Sequence, residues 1–246
     1  MKVAIILGGQ PRFTEAFKIL MQQLQGFDQA DFFMCLWKTD WASTSQEARS
    51  KIEPMLLPNY NLKNLIVMPQ PQYQLPQCKK DHPTEDKGSV RWYYKRRYGM
   101  WLSSYIAYHL IDQKYDLVIK ARGDGRLDRA VNLSSIDLSP KLIFPSYPRH
   151  GHPGGEICDQ FVFGSHEGME FYVDMVNKMN DYIPQVCSFW EDDPHEWASE
   201  HLLNWHLVQN NLPQCIGDYK HILKHEGRSS FDDKDTHLGI GSVPQI

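Results

Sequence analysis

Guanidiniums and glycines fall together at two places in this chain, at the first of them with carboxylates. The first is Arg122, Gly123, Asp124, Gly125 and Arg126, with Asp128 just beyond. These follow Tyr115 to Ala121, an apolar run that reads as a buried strand broken by glycine into a tight loop. In an open α/β sheet the crevice beyond the strand C-termini is where ligands bind, and a hard cation there takes oxygen ligands such as Asp124 or Asp128. The chemistry expected is a metal–diphosphate site; the same residues also describe a strand ending in an acidic surface turn. The second place is Gly8, Gly9, Gln10, Pro11 and Arg12, directly after the β-branched run Lys2 to Leu7. Exposed backbone N–H groups and one cation suit contact with a base, ribose or phosphate, and they also suit a plain turn.

The chain of 246 residues is long enough for a substantial core and contains no linker that forces a split, so residues 1–246 are expected to form a single domain. A net charge of -4 argues against a nucleic-acid partner held mainly by phosphate neutralisation. The five cysteines are scattered with no C-x-x-C pair, which suits a reducing compartment and offers no zinc site. The opening apolar run is too short for a signal peptide, and no stretch reaches the length of a membrane span. A cytoplasmic location is expected.

The elements that must position these residues alternate. Strands are expected at residues 2–7, 31–37 and 64–68, with helices at 13–24 and 45–53 between them. Pro69 to Gly88 reads as a long loop, and Ser89 to Gln113 as one long helix. The start of that helix holds Tyr94 and Arg97 within a cluster of basic residues from Arg91 to Arg97. The helix dipole disfavours cations at an N-terminus, so phosphate would explain the cluster, as would solvent. After the central strand come strands at 141–144 and 159–163, a loop with Gly154 and Gly155, and a helix from His166 to Tyr182 capped by Ser165. Asp193, Pro194 and Glu196 mark the start of a helix that runs to Asn210 and carries Glu200. The segment from Asp218 onward reads as a polar tail.

Several chemistries are excluded by spacing. The first loop has neither the G-x-G-x-x-G of a dinucleotide fold nor the G-x-x-x-x-G-K-[ST] of a P-loop. His195 and Glu196 begin an H-E-x-x-H motif, but position 199 is Ser199, so no zinc protease is present there. No G-x-S-x-G elbow occurs.

Taken as an ordered set, Ile5 to Phe13, Asp31 to Trp37, Tyr115 to Asp124, Asp159 to Ser165 and Glu200 to Leu203 resemble bacterial and phage-encoded glycosyltransferases of the GT-A fold. The resemblance implies a GT-A-like, Rossmann-like α/β domain with a mixed, mostly parallel central sheet flanked by helices. It implies transfer of a sugar from a nucleotide-diphosphate sugar, a UDP-sugar being favoured, to a carbohydrate or other hydroxyl acceptor. Arg122, Gly123 and Asp124 match the R-x-D loop, in which Mn²⁺ or Mg²⁺ meets the diphosphate, and His225 is the late histidine expected to return to the metal. Gly8, Gly9, Gln10, Arg12, Tyr94, Arg97, Arg122, Gly154 and Gly155 are the expected nucleotide-sugar contacts. An inverting mechanism needs a base for the acceptor hydroxyl, and Asp159 and Glu200 are the expected catalytic acids. A nucleotide-sugar or carbohydrate binding module without turnover and a metal-dependent phosphodiesterase are the alternatives.

Overall fold

A computed structural model describes residues 1–72, 90–139, 141–146, 161–189, 199–210 and 215–223. In chain order the elements are β1 (Lys2–Gly9), α1 (Glu15–Gln23), β2 (Leu24–Gln25), β3 (Gln29–Trp37), α2 (Ser45–Ile52), β4 (Tyr60–Met68) and α3 (Val90–His109). They continue as β5 (Leu117–Ala121), β6 (Gly125–Leu127), β7 (Val131–Asn132), β8 (Leu142–Ser146), β9 (Val162–Gly164), α4 (His166–Phe189), α5 (Ser199–Gln209) and β10 (Cys215–Leu223). Eight strands form one sheet in the order β4-β3-β1-β5-β9-β8-β10-β6, and β2 pairs with β7 in a separate ribbon. The pairs β4–β3, β3–β1, β1–β5 and β8–β10 are parallel; β9 runs against both its neighbours, and β6 runs against β10. The molecule is thus an α/β protein with a mixed, mostly parallel central sheet flanked by helices, as expected.

Both faces of the sheet are covered, which is why its central strands read as continuous apolar runs. Along β1, Val3, Ile5 and Leu7 join the core made with Phe17 and Leu20 of α1 and Ala48 and Ile52 of α2. Ala4 and Ile6 alternate to the other face, with Trp101 of α3, Tyr172 of α4 and Leu203 of α5. A fully buried side chain such as Phe33 or Ile119 stabilises the fold by about 1.5–3 kcal/mol. The helix starts obey their caps: the Thr14 hydroxyl accepts from Ala16 N–H at 3.2 Å, and that of Thr44 from Glu47 N–H at 3.2 Å. At the N-terminal edge, buried Asp31 accepts from the Tyr115 hydroxyl at 2.8 Å and from Asn61 and Gln29 side chains at 3.1 Å each. That network ties the entries of β3, β4 and β5 at the end opposite the loops of interest.

Some expectations need correction. The Asp218 segment is no tail at its start, because β10 reaches Leu223 as an internal strand between β8 and β6. The residues after Asp124 are not only a loop, since Gly125–Leu127 forms the edge strand β6. β4 begins at Tyr60, four residues earlier than expected, and α3 ends at His109. α4 continues to Phe189, seven residues past the expected end. The capping box at Asp193 lies outside the described residues. Among the described residues no helix is long and apolar enough to cross a membrane.

Candidate functional site

From β1 the chain runs to β3 and β4 on one side of the sheet and then returns through α3 to β5 on the other side of β1. The carboxyl end of β1 beside that of β5 is therefore a topological switch point, the place in an open α/β sheet where ligands bind. The register pairs Leu7 with Ala121, so Gly8 and Gly9 leave one strand level with Arg122, Gly123 and Asp124 leaving the other. The two expected loops are neighbours for this reason.

They touch backbone to backbone. Thr14 N–H donates to the Gly123 carbonyl at 3.2 Å. A Cβ on Gly123 would stand 2.9 Å from the Arg12 carbonyl and 3.0 Å from the Phe13 ring, so only glycine permits this approach. On the other side Gly8 meets α3: a Cβ there would lie 2.8 Å from the backbone of both Ser103 and Ser104. Gly9 turns the chain out of the sheet with φ +99°, a left-handed value suited to glycine.

Arg122 closes onto Asp124 with a two-pronged bond, Nε to Oδ1 at 2.7 Å and Nη2 to Oδ2 at 2.7 Å. Arg12 Nη1 stands 3.7 Å from Asp124 Oδ2, and its Nη2 donates to Gln10 Oε1 at 2.8 Å. The Asp124 side chain is 5% exposed, Arg122 18% and Arg12 42%, so the cluster grades from a buried acid to a solvent-facing cation. Burial acts to raise the Asp124 pKa, but the Arg122 hydrogen bonds, with the charges of Arg122 and Arg12, outweigh it and hold the carboxyl below its ordinary 3.8. Two guanidiniums thus stand against the one carboxylate of Asp124.

This arrangement does not fit a resident dication. Each Asp124 oxygen already accepts from Arg122, and a cation of the expected kind would have to come within about 2.0–2.6 Å of one of them. At the effective dielectric of a protein, unit charges 4 Å apart interact by roughly 4 kcal/mol and a double charge by twice that, so two adjacent guanidiniums resist such an ion strongly. Asp128 does not help: β6 carries it away to the end of α1, where Gln23 holds the Leu127 peptide at 2.7 and 2.9 Å, and Asp128 is exposed. Among the described residues no group of three or more His, Cys, Asp and Glu side chains could hold a metal ion. His225 lies outside the described residues. The arrangement instead suits an anion, for which a guanidinium offers a planar fork of donors.

The rest of the crevice comes from α3 and the ends of β3 and β4. α3 runs against the parallel strands. A Cβ on its Gly99 would stand 2.9 Å from Gln70 Nε2 and 3.5 Å from Trp37 Nε1, at the carboxyl ends of β4 and β3. Further down, the Leu110 carbonyl accepts from Asn64 Nδ2 at 2.9 Å. The turns that precede Gly99 therefore rise past the sheet edge on the crevice side, and they contain Tyr94 and Arg97, whose side chains lie outside the described set. Trp37, Gln70, Gly99 and Ser103 were not singled out as site residues by sequence; the only signal was their place at strand ends and on the helix that follows. Lys120, one residue before β5 ends, is 2% exposed, with Nζ 6.0 Å from the Trp101 ring centroid. Glu200 lies in the first turn of α5, its side chain undescribed, while Gly154, Gly155 and Asp159 lie outside the described residues. Gly8, Gly9, Gln10, Arg12, Arg122 and Asp124 are thus brought together; the remaining expected residues, or their side chains, lie outside the described set.

No protein-family model matches this chain, and no curated protein is significantly similar to it. The fold and the described site define an α/β protein with an arginine–aspartate cluster at the switch point of its sheet.

Proposed function

We propose that this chain is a GT-A-like glycosyltransferase that moves a sugar from a nucleotide-diphosphate sugar, with UDP-sugars favoured, to a hydroxyl acceptor. The observation that carries the reading is the meeting of the β1 and β5 loops at the switch point, with Arg12 and Arg122 on one small cluster. Glycine backbones beside two guanidiniums suit a diphosphate. In the transfer, the bond from the sugar's anomeric carbon to the diphosphate oxygen breaks and a bond to the acceptor oxygen forms. Charge develops on the leaving diphosphate, where fixed guanidiniums stabilise it without reorganising. The acceptor's proton passes to a carboxylate, and Asp159 and Glu200 are the two proposed bases.

The test is acceptor-dependent turnover of labelled UDP-, GDP- and dTDP-sugars, with donor affinity measured in parallel, for wild type, Asp159→Asn and Glu200→Gln. One of the two variants should lose on the order of 100- to 10,000-fold in rate while binding donor normally. Donor retained intact with every acceptor would make the chain a binding module. Hydrolysis indifferent to acceptor would make it a phosphodiesterase.

A further inference from the structure

We infer that the chain binds its nucleoside diphosphate without a divalent cation, Arg122 and Arg12 neutralising the phosphates and Asp124 acting as the positioning residue that aims them. The inference rests on the nucleotide-sugar reading and deepens it. Both oxygens of Asp124 are engaged by the same guanidinium at 2.7 Å. A carboxylate buried to 5% exposure and bound in this two-pronged way fixes the plane of the Arg122 fork. Arg12, 3.7 Å from the same carboxylate, is steered by it but stays largely open to solvent. Gly123 lets the two loops approach closely enough for one acid to serve both arginines. What remains is a preorganised guanidinium fork, suited to a diphosphate, with both oxygens of its carboxylate already engaged and two guanidiniums set against a second cation.

Calorimetric titration of the full chain with UDP and with GDP, in EDTA and then with Mn²⁺ or Mg²⁺, tests this directly. The expected result is a Kd that agrees within about threefold across the three conditions for the nucleotide that binds. Asp124→Asn and Arg122→Gln, checked for folding by circular dichroism, should each weaken the diphosphate by about tenfold or more, equally with and without metal. Both variants should leave the binding of the matching nucleoside, uridine or guanosine, unchanged in ligand-observed NMR. A merely structural role for Asp124 would weaken nucleoside and diphosphate together. Affinity that rises about tenfold or more with metal in wild type, and no longer does so in Asp124→Asn, overturns the inference and makes Asp124 a metal ligand. Failure of both nucleotides to bind under any condition has a separate signature: it removes the nucleotide-sugar reading, and this inference with it.

Discussion

At the scale of the residue, Asp124 makes a choice between partners. A lone carboxylate at a strand end can bind a cation, cap a turn or orient an arginine, and the 2.7 Å fork of Arg122 decides for the last. The decision has an acid signature. The native pKa of Asp124 lies below the 3.8 of the free side chain, so the unfolded chain binds a proton more readily than the folded one as pH falls. The contribution to stability is fully present above about pH 3.8 and is lost as pH falls through the lower native value. Denaturant midpoints measured from neutral pH down into that range should fall more steeply for wild type than for Asp124→Asn, and parallel slopes would contradict the pairing. This pairing was not legible in the sequence. Arg122 and Asp124 are two residues apart in a turn, where no periodicity fixes which way side chains point, and the same letters serve a metal or a surface loop. What could be read was that charge and glycine followed a buried, largely apolar strand.

Elements show the converse. Strands and helices that bury a whole face were readable, because the alternation of Val3, Ile5 and Leu7 with Ala4 and Ile6 meets two different cores. β6 and β10 were not, since three residues at an edge and a run interrupted by Gly217, Asp218 and Lys220 owe their strand geometry to each other across the fold. Nor could spacing show how closely α3 sits on β1, which hangs on one missing side chain. Gly8→Ala would press a methyl against the Ser103 and Ser104 backbone at 2.8 Å, and a backbone cannot rotate aside. Overpacking of this kind costs about 1–3 kcal/mol. Chemical denaturation of Gly8→Ala should show a loss of that size, together with weaker donor binding as α3 is pushed off the crevice. Wild-type stability in this variant would mean that α3 does not seat on Gly8.

For the whole molecule, the sheet puts the Asp31 network and the proposed ligand groups at opposite ends. The Asp31 network closes the amino ends of β3, β4 and β5, while among the described residues the carboxyl ends of β1 and β5 open into loops held by glycine contacts and the Arg122–Asp124–Arg12 cluster. A ligand that bridges those loops should therefore stabilise the entire fold, since it binds the native chain and not the unfolded one. At a free concentration one hundred times Kd that stabilisation is about 2.7 kcal/mol, which for a chain of this size raises Tm by roughly 5–10 °C. Arg12 is the exposed member of the cluster, so Arg12→Ala should keep the unliganded Tm but weaken the diphosphate about tenfold. At the same ligand concentration the stabilisation then falls to about 1.4 kcal/mol, roughly half the wild-type shift. A thermal melt of both proteins with UDP and GDP reads this out. An Arg12→Ala shift equal to wild type, or a wild-type shift reproduced in full by the nucleoside alone, would remove the phosphates from the crevice.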